Sequence, residues 1–240
     1  MTTNKVLAFD LYGTLLSTES IAKQLEQHFP EKAQSISALW RRYQLEYTWR
    51  LNSMGIYEPF SDVTRNSLHH AIAEHNESLS DTAISNLMKA YDNLTTFPDT
   101  KPALSALANI PNVSAVVFSN GTHYMLSNSV HKSSDLSPHS SFFMDIVSVD
   151  DVKQYKPAPA VYRHLTEKVG KKEKFEDVWL VSGNPFDIVG ARSVGMNAIW
   201  VDRGGKGWVD RVRPDVKPTV IVRSLEEIPD FLRTENGKKY

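Results

Sequence analysis

The sequence predicts an α/β fold, a doubly wound parallel sheet with an inserted all-helical segment, and two patterns carry that prediction. From about residue 97 onward, short apolar runs rich in β-branched residues alternate with amphipathic segments. That alternation marks parallel strands buried on both faces by crossover helices. One such run also opens the chain, yet the stretch between it and residue 97 holds no convincing strand. The predicted division is therefore 1–17 and 97–240 as an α/β core domain, with 18–96 as a helical cap subdomain lying over the sheet's active edge.

Each element follows from local pattern, with boundaries good to about two to four residues. "KVLAFD" supplies a strand over Val6–Phe9 that ends in a carboxylate, Asp10, with Gly13-Thr14 breaking the run just beyond. Helices are expected over 18–28, 32–52, 61–75 and 80–93. In the second, Ile36, Leu39, Trp40, Tyr43, Tyr47 and Leu51 recur at helical spacing and should face a core. Arg41, Gln44 and Leu45 form a neighbouring stripe at i, i+3 and i+4. Beyond Phe97-Pro98 the reading runs helix 100–109, strand 113–118, helix from Tyr124, strand 145–149 and helix 158–169. It continues with strand 178–182, helix 186–194, strands 198–202 and 219–222, and helix 225–233. The tail "TENGKKY" is expected to fray.

Composition removes several function classes. The 240 residues carry 27 basic and 28 acidic side chains, a net charge of −1, so no clustered cationic surface for nucleic acid or anionic membrane is expected. The absence of cysteine excludes disulfides, thiolate nucleophiles and cysteine-held zinc or iron–sulfur centres. The first ten residues lack a signal-peptide core and no apolar run is long enough to span a bilayer, so the expectation is a cytoplasmic protein. The sequons at Asn76, Asn93, Asn112 and Asn120 are then accidental.

In an open parallel sheet, ligands bind beyond the carboxyl ends of the strands. Four segments deliver polar groups there: Asp10 and Thr14; Ser119-Asn120; Lys156; and "SGNPFD" with Ser182, Asn184 and Asp187. Any one of them alone is better read as a cap or a solvated loop residue. Together, at one rim, they read as a catalytic site.

"FDLYGTL", "SNG", "YKPAPAVY" and "VSGNPFDIVGARSVGM" resemble, in order and spacing, the four motifs of the haloacid dehalogenase superfamily. The closest likeness is to the type II L-2-haloacid dehalogenases, whose cap helix is similar to "ISALWRRYQLEYTW". The resemblance covers nearly the whole chain and implies a Rossmann-like core. Two departures separate it from the superfamily's phosphatases, the alternative reading. Those enzymes resemble Asp-x-Asp in the first motif, where the second Asp protonates an alkoxide; here Tyr12 stands in its place, and a halide needs no such proton. Their fourth motif resembles "VGDxxxD" with a magnesium-binding Asp where this chain has Gly183, so a Mg²⁺ site is poorly supported.

The resemblance implies residue roles. Asp10 would displace halide from C2 of a small 2-haloacid with inversion, forming an ester that water then hydrolyses, without cofactor or metal. Lys156 would keep Asp10 charged and oriented, and Tyr162 would support Lys156. Asp187, Asn184 and Ser182 would orient or activate the water. Thr14, Ser119 and the amides near Leu11 and Tyr12 would hold the substrate carboxylate or an oxyanion. Arg41, Asn120 and Phe186 would receive the halide, and Tyr12, Gln44, Leu45 and Phe60 would wall the pocket. From the residues alone Arg42 is an equal candidate to Arg41; only the resemblance selects Arg41. Gly183 and Pro185 depart from the best-known form of the fourth motif. Relatives are often dimers through the cap, and the aromatic 40–57 segment is compatible with a homodimer.

Other signals carry no site. "RGGKGW" at 203–208 lacks phosphate-loop spacing, His69-His70-x4-His75 is a surface pattern on a cap helix, and no Gly-x-Ser-x-Gly elbow is present.

Overall fold

The structure, a computed structural model, describes residues 5–237. Six strands form one all-parallel sheet. They are β1 (Lys5–Phe9), β2 (Val113–Ser119), β3 (Phe143–Ser148), β4 (Val178–Ser182), β5 (Asn197–Val201) and β6 (Val220–Val222). Their order across the sheet is β3-β2-β1-β4-β5-β6. The chain thus grows outward from β1 on one side, then crosses back to add β4 on the other. Strand order reverses around β1 and β4, and the crevice at that switch is where such sheets bind ligands. Phe9 aligns with Val117 and with Val181, so Asp10 stands level with Phe118 and Ser182. Val6, Leu7, Ala8 and Phe9 are all buried, as expected of a central strand covered on both faces.

Between β1 and β2 lie α1 (Ala22–Leu25), α2 (Ala33–Met54), α3 (Phe60–Glu74), α4 (Asp81–Tyr91) and α5 (Thr100–Leu107). The later connections carry α6 (His123–Ser127), α7 (Pro159–Lys168) and α8 (Pro185–Ser193), and the chain closes with α9 (Ile228–Gly237). The helix expected over 18–28 is instead a 3₁₀ turn, Thr18–Ile21, followed by the single α turn of α1. The stretch expected to fray from Thr234 continues α9 as far as Gly237, and residues 238–240 lie outside the described part. The last helix also starts later than expected, because Leu225–Glu227 form a 3₁₀ turn capped by Ser224. None of the helices in the described residues is long and apolar enough to cross a membrane.

Helix α2 explains how the helical segment is held. Ile36, Trp40 and Tyr43 are buried, whereas Leu39, Tyr47 and Leu51 are only partly so. The buried face also includes Ser37, Gln44 and Thr48. Trp40 donates its indole N–H to Thr64 O at 2.8 Å, tying α2 to α3. Further along, Asn52 clamps the backbone of Tyr155. Its Nδ2 donates to Tyr155 O at 2.7 Å, and its Oδ1 accepts from Tyr155 N at 2.8 Å. Tyr57 adds a bond to Asp150 at 2.8 Å. The helical segment is therefore latched to the loop between β3 and α7.

Trp40 is the largest fully buried side chain of the segment. Trp40→Ala is expected to cost about 3–5 kcal/mol, read as a lowered midpoint in urea unfolding followed by far-UV circular dichroism.

Candidate active site

Four carboxyl-end segments meet around Asp10. Thr14, one turn beyond β1, donates its hydroxyl to Asp10 Oδ2 at 2.7 Å. Asn184 Nδ2 donates to the same oxygen at 2.8 Å and to Tyr12 O at 3.0 Å. Lys156 Nζ donates to Asp10 Oδ1 at 3.2 Å, to Asp187 Oδ2 at 2.8 Å and to Phe118 O at 2.7 Å. An ammonium has three protons and no acceptor capacity, so Lys156 is fully satisfied although 1% exposed. It also sits 4.0 Å from the centre of the Phe118 ring. The two Asp10 oxygens are unequal: Oδ2 takes two short bonds, while Oδ1 takes one longer one.

Asp187 is completely buried. Its Oδ1 accepts from the Tyr162 hydroxyl at 2.7 Å and its Oδ2 from Lys156. Burial pushes its pKa up and the Asp10 charge adds to that, against the opposing pull of Lys156 and Tyr162. Burial and the adjoining Asp187 also push the Tyr162 phenol up, so it stays a donor. Tyr162 reaches Asp187 because position 190 has no side chain: a Cβ on Gly190 would fall 2.3 Å from the phenol oxygen.

The loop between β4 and α8 is built for close approach. Gly183 N donates to Thr14 Oγ1 at 2.9 Å, and a Cβ on Gly183 would fall 2.5 Å from Gly13 O. No side chain, and so no carboxylate, has room there. Ser182 Oγ accepts from Asn184 N at 3.0 Å, which turns Asn184 toward Asp10. Pro185 opens α8, where the first N–H needs no partner. From beneath, Arg203 holds Thr14 O at 2.8 Å while paired with Asp99 at 2.9 Å.

Asp10, Arg41, Asn120, Lys156, Asn184 and Phe186 line a small chamber with Tyr12, Leu45, Phe60 and Ser119. Asn120 Oδ1 accepts from Lys156 N at 3.0 Å, leaving its amide protons for that chamber. Tyr12 stacks on Phe60 at 5.9 Å and is buried; it is a wall, and burial drives its phenol far above the usual range. Arg41 reaches in from α2. It donates to Gln44 Oε1 at 2.7 Å, Tyr12 O at 3.2 Å and Asn184 Oδ1 at 3.4 Å. Among the described residues it has no carboxylate partner. Arg42 points away, over the ring of Tyr43.

Some expected members sit elsewhere. Gln44, expected as a wall, is fully buried behind Arg41, where Tyr91 donates to its Oε1 and its Nε2 donates to Thr64 Oγ1. Tyr162, expected at the pocket and on Lys156, is completely buried and spends its hydroxyl on Asp187 instead, because α7 approaches α8 at Gly190. Leu11 is buried, and its carbonyl closes the turn by accepting from Leu15 N and Leu16 N. Asp187 and Ser182 stand one layer behind the chamber. Sequence reasoning missed Phe118 O, Tyr91, Thr64 and the Asp99–Arg203 pair. Only the strand register could have pointed to the first, and nothing local marks the others.

The comparisons fit this geometry. A family model described as haloacid dehalogenase-like hydrolase matches residues 4–195. An (S)-2-haloacid dehalogenase of Pseudomonas putida is 34% identical over 94% of this chain and 95% of its own. Haloacetate dehalogenase H-2 of Moraxella sp. (strain B) is 33% identical over 84% and 87%. Among solved structures, L-2-haloacid dehalogenase from Xanthobacter autotrophicus with chloropropionic acid covalently bound superposes with a TM-score of 0.84 at 27% identity. That match covers 95% of this chain and 98% of the other. With its parallel sheet, its Asp10-centred rim and relatives matched along almost their full length, the chain belongs to the haloacid dehalogenase-like hydrolases.

Proposed function

We propose that this chain hydrolyses small (S)-2-haloalkanoic acids to (R)-2-hydroxy acids and halide through an ester on Asp10. The observation that carries the reading is an aspartate with one lightly bound oxygen at a chamber that also holds the Lys156 ammonium and the Arg41 guanidinium, the latter without a carboxylate partner among the described residues. Oδ1 attacks C2 opposite the carbon–halogen bond, and the halide leaves with the bonding electrons while the carbon inverts. Arg41, the Asn120 amide and the edge of Phe186 receive the anion. A weakly hydrated halide suits a guanidinium and aromatic hydrogens. Tyr12, Leu45 and Phe60 take the carbon chain, and Ser119 the substrate carboxylate.

Water then attacks the carbonyl carbon of the Asp10 ester. Asn184 and Thr14, which hold Oδ2, stabilise charge on that oxygen. Asp187, the carboxylate left while Asp10 is esterified, takes the water's proton; burial raises its pKa and so favours its acting as a base. The acyl–oxygen bond breaks as Asp187 returns its proton to the departing alkoxide, the 2-hydroxy acid leaves, and Asp10 is restored as a carboxylate once the water's second proton passes to solvent. Lys156 links both steps, since it touches both carboxylates. Tyr162 is a positioning residue that acts through Asp187.

A divalent ion does not suit this donor set. Ammonium and amide donors occupy Asp10, Gly183 has no room for a carboxylate, and no group of three metal-ligating side chains occurs among the described residues. Cytosolic residence and a homodimer formed through α2 belong to the same proposal; Trp49, Met54 and Ile56 are exposed at its far end. Sedimentation equilibrium of the purified chain at micromolar concentration is expected to give twice its 27.1 kDa mass.

Halide release from (S)-2-chloropropionate is expected to be unaffected by EDTA. Repeated turnover in ¹⁸O water is expected to place label in the Asp10 carboxylate, read by peptide mass spectrometry. Magnesium-dependent turnover of p-nitrophenyl phosphate without halide release would reverse the reading. Tyr162→Phe removes a donor that favours ionised Asp187. The acidic limb of kcat is therefore expected to move to higher pH, with kcat at the plateau falling several-fold.

A further inference from the structure

The chamber beside Asp10 holds about 10 Å³ of free space, enough for roughly one water. No haloacid can enter it without something moving. Two larger cavities abut it, and each shares one wall residue with it.

The first, of about 410 Å³, is a cleft between the 3₁₀ turn Thr18–Ile21 and α2. It is lined by Thr18, Glu19, Gln34, Ser37, Ala38 and Arg41. Arg41 is its inner wall and the chamber's outer one. The second, of about 730 Å³, is an apolar groove between α2 and α8 lined by Trp49, Pro157, Val189 and Val212 among others, and it shares Phe186 with the chamber.

The two partitions differ in what it takes to open them. Arg41 is held only by neutral acceptors, two of them at 3.2 and 3.4 Å. Turning it outward gives up these two longer bonds and the 2.7 Å bond to Gln44, all to neutral acceptors, which water or an incoming carboxylate can replace. Phe186 packs edge-on against Trp49 at 5.5 Å. Displacing it would break that contact and draw a carboxylate along a mostly apolar lining in which Arg213, with Asp210 also on the groove, is the one cation among the described residues.

We infer that the cleft between Thr18–Ile21 and α2 is the route by which an anionic substrate reaches Asp10, with the Arg41 guanidinium as its movable inner partition. The inference rests on the dehalogenase reading of the site. Arg41 thereby has two tasks: it meets the carboxylate in the cleft and returns over the chamber to face the halide. Thr18, Ala38 and Gln34 set the width of the passage and so the bulk of acid admitted.

The chain has no cysteine, so one introduced thiol can be labelled selectively. Ala38→Cys puts it on the cleft and Ser53→Cys on the groove, both at exposed positions. Halide release from 2-chloropropionate is measured for each variant before and after reaction with methyl methanethiosulfonate, N-ethylmaleimide and fluorescein maleimide. For Ala38→Cys, slowing is expected to grow with label size to roughly tenfold or more, as entry becomes rate-limiting; Ser53→Cys is expected to be indifferent. Turnover that survives the largest label at Ala38→Cys, slowing independent of label size, or slowing confined to Ser53→Cys would each overturn the route. If the unlabelled variants and the unmodified chain all release no halide, the activity itself falls, and the route with it.

Discussion

A buried ammonium must place three protons, and Lys156 finds an acceptor for each inside the fold: Phe118 O, Asp187 and Asp10. Taking one cation and two carboxylates out of water carries a large desolvation cost, recovered only when geometry and remaining hydrogen bonds are good. Here nearly every neighbouring element contributes to that recovery. β2 supplies a carbonyl and a ring face, α7 supplies the Tyr162 phenol, the β4–α8 loop supplies Asn184, and the first turn of α8 supplies Asp187. Removing one partner would strand a charge rather than delete a contact. The architecture is thus constrained by charge pairing as much as by apolar packing.

The helical segment answers to the same constraint. Its longest helix buries Gln44 and Thr48 beside Trp40 and Tyr43. Gln44 accepts from both Arg41 and Tyr91, so the guanidinium is aimed by a buried polar network rather than left in solvent. At the other end of the helix, Asn52 grips Tyr155, the residue before Lys156. A single helix therefore touches both cations of the site, by side chain at Arg41 and through the preceding backbone at Lys156. The position of the helical segment and the geometry of the site are mechanically one thing.

Much of this was legible in the chain. Continuous apolar runs mark parallel strands because both faces are buried, and all six lie within about two residues of expectation. Polar residues at strand ends mark the site because such a sheet presents them at one rim. The weaker expectations concern reach. Tyr162 and Gln44 belong to the site but not to its surface, since spacing along a helix says which residues share a face and not what stands across from them. The helix expected over 18–28 failed for a local reason: the stretch is a 3₁₀ turn and one α turn, too short to register as amphipathic periodicity.

By itself the sequence determined the sheet, the order of its elements and the residue types brought to the rim, because periodicity and strand-end chemistry are local properties. It also determined that Tyr12 and Gly183 stand where carboxylates could have stood. Only the tertiary structure decided that Lys156 bridges Asp10 and Asp187, that Tyr162 serves the latter, and that Arg41 closes the chamber beneath a cleft. Those outcomes depend on distances between segments up to 146 positions apart in the chain, and such distances are set by packing across the sheet edge, which no local pattern records.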